Sequence, residues 1–184
     1  RSGRIIAWEE AMAAFKDATG RPGPATWEFR TFPAGQDESP VSGVSWYEAA
    51  AYCEFAGKAL PTVHHWQRAA GAGSYATILQ LSNFTGQGPA RVGSYGGLGP
   101  YGTYDTAGNV KEWCWNASAE SRYILGGAWN DPKYMFYFAD ARLPFDRAAA
   151  NGFRCAKYVN PPAKELTDPI EVHRLLAGQR LFFR

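Results

Sequence analysis

The sequence predicts an α+β domain with two or three helices, a small sheet of short strands and long irregular loops. Three observations carry that prediction. The clear helical stripes lie before Gly71, and the plausible strands are short runs after residue 120. The 184 residues include 20 Gly and 12 Pro, a turn-rich composition. They also include 7 Trp, 10 Tyr and 11 Phe, so large rings rather than long helices must fill the core.

The elements follow in order. Residues 8–17 read as a helix, because Trp8, Met12 and Phe15 recur on one apolar stripe. Gly20, Pro22, Gly23 and Pro24 end it, and a polar loop runs to Pro40. Ser45 opens a second helix, with Glu48 three positions on to complete a capping box. Its inward stripe is Trp46, Ala49 with Ala50, and Cys53, and Gly57 is placed to stop it. Thr62 caps a third helix that runs to Ala70 and closes at Gly71. His65 stands where a capping box has Glu, so this cap is expected to lack one hydrogen bond. Between Gly71 and Trp129 both periodicities fade, and residues 86–102 alone hold seven Gly. Strands are expected at 123–125 and 152–158, and a further short helix at 169–176. The run Asn160-Pro161-Pro162 divides the chain into a domain at 1–158 and a linker or tail at 159–184 leading towards another domain.

Charge and composition exclude several functions. A net charge of +2 with no run of five like charges leaves no nucleic-acid footprint. No apolar run approaches the ~20 residues of a membrane span, and the N-terminus lacks a signal-peptide pattern. Three cysteines are too few for a disulfide scaffold and lack zinc spacing, so a cytoplasmic location is the default expectation. The opening Arg1 and the closing Leu181-Phe182-Phe183-Arg184 suggest a piece of a longer polypeptide.

Five segments in order resemble the formylglycine-generating enzyme, or sulfatase-modifying-factor, family. They are Pro40-Val41 with Val44-Ser45-Trp46; Ala51-Tyr52-Cys53 with Gly57-Lys58 and Leu60-Pro61-Thr62; Trp66 with Ala69-Ala70; Tyr104-Asp105 with Gly108-Asn109-Val110 and Glu112-Trp113; and Gly126-Gly127-Ala128-Trp129 with Gly152-Phe153-Arg154-Cys155. Most of these matches are fold maintenance. Glycines at 108, 126, 127 and 152 supply turns, and four tryptophans supply core volume. Arg142 and Arg154 are expected as buried forks between loops. The resemblance implies a C-type-lectin-like fold with a small antiparallel sheet. The phrases Trp8-Glu9-Glu10-Ala11-Met12, Asp17-Ala18-Thr19-Gly20-Arg21-Pro22-Gly23-Pro24 and Pro144-Phe145-Asp146-Arg147 are similar to copies fused behind bacterial serine/threonine kinases. Fusion to other domains is therefore expected.

The family's oxidase chemistry uses two cysteines, shortly after its Gly-Gly-Ser motif, that hold copper. This chain reads Gly127-Ala128-Trp129-Asn130-Asp131-Pro132-Lys133-Tyr134-Met135-Phe136-Tyr137 there, without a thiol. Soft thiolates suit Cu(I), so no copper and no formylglycine-generating oxidase activity are expected. The resemblance also implies that Cys53 and Cys155 are a structural pair, and that Asp105, Gly108, Val110 and Glu112 form a calcium site. The alternative is that Asp105 caps its turn and Glu112 pairs with an arginine. A second calcium site near Asn83 and Phe84 lacks its acidic partner. Lys111 stands where the family usually has Trp on the groove wall. His64 and His65 raise the iron chemistry of a related branch, but adjacent helical residues point about 100° apart; His173 lies in the tail.

Two functions follow. The first is a non-catalytic recognition module for a protein or small-molecule ligand. Its surface would be the 128–150 loops, with Asn130, Asp131, Lys133, Tyr134, Phe136, Tyr137 and Lys111 as candidate contacts; otherwise alternate rings of that run are core. The second is an oxidoreductase of the wider family with an altered, non-haem metal centre.

Overall fold

A computed structural model describes residues 7–71 and 75–171. The first helix, α1 (Trp8–Ala14), is shorter than its stripe suggests. The chain leaves the helix at Phe15 and folds around Asp17 instead. That carboxylate accepts the N–H groups of Thr19, Arg21 and Arg30 and the Thr19 hydroxyl. Helix α2 (Trp46–Phe55) carries the full capping box, with Ser45 and Glu48 each bonded to the other's backbone. Trp46, Ala49 and Cys53 are its buried stripe.

Helix α3 (Val63–Ala70) starts at Thr62 and stops at Gly71 in a left-handed conformation. Its cap is not one bond poorer, as the sequence suggested. The Thr62 N–H, which a capping-box Glu would have taken, donates to the Tyr158 hydroxyl at 3.1 Å. A fourth helix, α4 (Tyr75–Gln80), occupies part of the stretch read as irregular.

The sheet has four strands in the order β3-β2-β1-β4. β1 (Lys111–Ser118) and β2 (Ser121–Leu125) form an antiparallel hairpin with Ser118 opposite Ser121 and an irregular register between Trp113 and Ala117. β3 (Asp140–Arg142) pairs antiparallel on the far side of β2. β4 (Asn151–Gly152) pairs parallel with the start of β1, so the sheet is mixed. This stub and isolated bridges of Gly152 with Ser42 and of Ala156 with Ala59 are what realise the strand expected at 152–158 among the described residues.

The sheet separates two apolar clusters. Val63, Trp66, Ile78, Cys114, Tyr123, Leu125 and Phe136 fill one side. Val44, Trp46, Ala49, Cys53, Leu60, Trp113 and Ile124 fill the other. At roughly 25 cal/mol per Å² of apolar area, a buried ring such as Trp113 contributes a few kcal/mol.

After the prolines at 161 and 162 the chain forms the short α5 (Lys164–Thr167) and lies against the hairpin. The Asn116 amide donates to the carbonyls of Leu166 and Asp168, both at 2.8 Å, and Ile170 N–H donates to the Ala117 carbonyl. Residues 169–171 are not helical, and the rest of the helix expected there lies outside the described residues. Among the described residues no helix is long and apolar enough to cross a membrane.

Candidate functional site

The candidate site begins at the turn of Gly126 and Gly127, which join β2 to the 128–142 loop. Both residues have positive φ, 101° and 68°. A Cβ on Gly126 would sit 2.9 Å from the Thr106 carbonyl oxygen, so backbone packs against backbone here. Asp131 closes the turn by accepting the Ala128 N–H at 2.9 Å.

Lys111, the first residue of β1, reaches across to that carboxylate. Its Nζ lies 3.2 Å from Asp131 Oδ2 and donates at 2.8 Å to Asp140 Oδ2 on β3. Arg142 donates to the same Asp140 oxygen from Nε and Nη2. The Lys111 side chain is only 7% exposed, whereas that of Arg142 is 48% exposed. A row of alternating charges thus runs from the glycine turn to the sheet edge. Two sequence expectations are corrected here. Lys111 is not part of a ligand-facing surface, because two carboxylates hold it inside. Arg142 is no buried fork, because it lies at the rim.

The fork between loops is Arg147. Its guanidinium donates to both Glu48 carboxylate oxygens and to the carbonyls of Ala14, Lys16 and Gly23. It joins the end of α1, the Asp17 loop and the cap of α2. No sequence pattern singles out Arg147 from its neighbours, because its partners lie up to 133 positions away.

Within 130–138 the rings divide. Pro132 leads into a 3-10 turn, Lys133–Tyr137. Phe136 is buried beside Trp66 and Tyr137, with ring centroids 6.1 and 5.6 Å away, so it belongs to the core and not to a ligand surface. Tyr137 packs half-buried against the same cluster. Tyr134 and Phe138 stay exposed, edge to face at 5.9 Å, with Asn130 and Lys133 exposed nearby in the chain.

Around 105–112 the side chains are already engaged. Asp105, at φ 56°, accepts the Gly93 N–H at 2.8 Å. Glu112 is buried; it accepts the Trp66 indole N–H at 2.6 Å and two Arg154 donors at 2.5 Å each. Burial alone would lower the Arg154 pKa, but the Glu112 carboxylate beside it outweighs that and raises it. A calcium ion drawing on Glu112 does not fit this arrangement, because it would have to displace a bidentate arginine. Without Glu112, Asp105 and the Gly108 and Val110 backbone oxygens leave one carboxylate for a hard cation that favours several.

The thiols divide between the two apolar clusters, Cys114 beside Trp66 and Phe136, Cys53 and Cys155 on the side of Trp113. Cys53 Sγ and Cys155 Sγ lie 2.8 Å apart beside α2, both as free thiols. Burial, then Cys155, pushes the Cys53 pKa well up, and burial and Glu112 do the same for Cys114. Neither is an activated thiolate. His64 is exposed, and His65 Nδ1 contacts the Thr62 hydroxyl at 2.6 Å. Among the described residues no group of three or more His, Cys, Asp or Glu could hold a metal ion.

Comparison with known proteins decides the family. The family model of the sulfatase-modifying factor enzyme 1-like domain matches residues 7–159. The chain belongs to the sulfatase-modifying-factor family. Relatives within it differ in kind. One is the serine/threonine-protein kinase pkn1 of Chlamydia pneumoniae, 35% identical over 157 residues, covering 68% of this chain and 25% of the kinase. Another is the inactive C-alpha-formylglycine-generating enzyme 2 of Mus musculus, 29% identical over 86% of this chain and 60% of its own length. A third is the formylglycine-generating enzyme of Streptomyces coelicolor, 34% identical over 81% of this chain and 57% of its own length. The chain therefore spans a quarter to 60% of these sulfatase-modifying-factor relatives. Among solved structures, the Treponema denticola variable protein 1 superposes with a TM-score of 0.57 at 21% identity, covering 79% of this chain and 78% of its own. The fold is C-type-lectin-like, as the resemblance implied.

Proposed function

We propose that this chain is a non-catalytic member of the sulfatase-modifying-factor family, serving as a ligand- or protein-binding module of a larger, kinase-containing protein. One observation carries the reading. Beside the double-glycine turn, where the family's resemblance places metal-binding thiolates, a buried Lys111 pairs with Asp131 and Asp140. A lysine is a cation without acceptor capacity and ligates no metal while paired in this way. The carboxylates that remain are turned towards it. Relatives named as a kinase and as an inactive enzyme support the same reading for the host protein.

The recognition surface in this reading is smaller than the sequence suggested. It consists of the exposed rings of Tyr134 and Phe138 with Asn130 and Lys133. Aromatic groups flanked by a cation and an amide suit a protein contact. Replacing Tyr134 by a photo-cross-linking residue in the intact host protein tests it. A discrete cross-linked partner, lost on Phe138→Ala in a folded protein, is expected; an unchanged cross-link pattern in that variant would refute the surface. Titration with Cu(I) under oxygen tests the non-catalytic half, and stoichiometric tight binding with oxygen uptake would refute it.

A further inference from the structure

Across the β2–β3 pair two arginines stand directly opposite each other, Arg122 and Arg142. Facing residues of an antiparallel pair share one side of the sheet, and like charges there are destabilising. Arg142 is compensated by Asp140. Arg122 is not. It donates to the Trp115 carbonyl at 2.7 Å and lies 3.9 Å over the Trp46 ring. No ion pair joins it to a carboxylate among the described residues. Burial lowers its pKa, in keeping with a cation that lacks an anion.

An open cavity of about 530 Å³ adjoins this pair, lined by Ser121, Ala141, Arg142, Leu143, Phe145 and Asp146. That volume suits a small organic ligand. Leu143 and Phe145 are both exposed, and Phe145 continues an aromatic row through Tyr47 to Trp46, the ring under Arg122. Asp146, the one acid on the wall, accepts its own loop's Ala148 N–H and reaches neither arginine.

We propose that this cavity binds an organic monocarboxylate carrying an aromatic or aliphatic group. The Nη1 end of the Arg142 guanidinium, which Asp140 does not engage, receives the carboxylate, since the planar fork matches that geometry. Arg122 supplies the uncompensated positive charge one strand away. Leu143 and Phe145 receive the apolar group. Asp146 limits the ligand to a single negative charge, because a second would face it. The ligand is either a free small acid or the C-terminal residue of a peptide, which share this chemistry. The site is independent of the Tyr134 and Phe138 surface.

The test is an NMR titration of the folded chain with 3-phenylpropionate, its uncharged amide, and a short peptide ending in a free phenylalanine carboxylate. The acid is expected to shift the Ser121 and Ala141 backbone amides, and the amide to leave them unmoved. Arg142→Gln, at a half-exposed position, should weaken binding about tenfold, the worth of one charge-assisted contact. Asp146→Asn, which keeps the turn's acceptor, should tighten it. Tighter binding of the peptide assigns the site to chain termini, and equal binding assigns it to free acids. No shift with either carboxylate at millimolar concentration, equal shifts with the amide, or unaltered affinity in Arg142→Gln would overturn the proposal. Tyr134→Ala should change none of these readings, so failure here leaves the recognition reading untouched.

Discussion

Replacing Lys111 by Met removes the cation from the row beside the glycine turn while keeping an unbranched side chain of similar length. Asp140 keeps Arg142, but Asp131 retains only the Ala128 N–H. Removing one partner of a buried ion pair costs about 3–5 kcal/mol. Asp131 and Asp140 are 20% and 19% exposed, so water recovers part of this and the expected loss is about 2–3 kcal/mol. For a chain of this size that corresponds to a fall in Tm of roughly 4–12 °C. Urea unfolding followed by tryptophan fluorescence gives the value directly, since Trp66 and Trp113 are core residues. Asp131→Asn and the double variant complete a cycle, whose coupling should be on the order of 1–2 kcal/mol. A loss in Lys111→Met below about 0.5 kcal/mol, or a coupling of zero, would refute the claim that Lys111 is held inside by these two carboxylates.

Three further outcomes follow from the same structure. Glu112→Gln leaves the partly buried Arg154 without its counter-charge and, with water recovering part of the loss, should destabilise by about 2–3 kcal/mol in urea unfolding. The Asp17 carboxylate is desolvated, which raises its pKa, but the Arg30 N–H, the Thr19 hydroxyl and the Arg21 and Thr19 N–H groups outweigh this and hold it far below the usual carboxylate range. Its contribution is therefore complete above the unfolded value of about 3.9 and lost as pH falls towards the folded one. The urea midpoint of the parent should fall more steeply than that of Asp17→Asn below about pH 4. Mild oxidant should join Cys53 to Cys155 within one chain, read as the loss of two hydrogens by mass spectrometry, while Cys114 stays unmodified because it is fully buried.

The legible parts of this fold are those in which local chemistry decides. Ser45 with Glu48, and Thr62 with Gly71, mark both ends of their helices because caps are made by neighbours in sequence. β1 was illegible for the opposite reason. Lys111, Glu112, Trp113 and Cys114 are all buried, so no alternation of polar and apolar residues survives along the strand. Expectations for 152–158 failed because pairing there depends on distant partners, Ala59 and the start of β1.

The candidate site divides in the same way. Segment matches located the glycine turn, Glu112 and Arg154. They could not tell that Lys111 is neutralised, because Asp140 lies 29 positions away and on another strand. Tyr134 and Phe136 look alike in sequence. Only the 3-10 turn, which carries Phe136 inward and leaves Tyr134 outside, separates a surface ring from a core ring. The fork expected at Arg142 falls to Arg147 because a buried fork is defined by the carbonyls around it, and those belong to α1 and the Asp17 loop.

The most direct measurement is to incubate the purified chain with copper, oxygen, a thiol reductant and a cysteine peptide of the kind that formylglycine-generating enzymes oxidise, and to weigh the peptide by mass spectrometry. The account predicts an unchanged cysteine. Conversion of that cysteine to the aldehyde would show that the Lys111 ion pair does not preclude the chemistry.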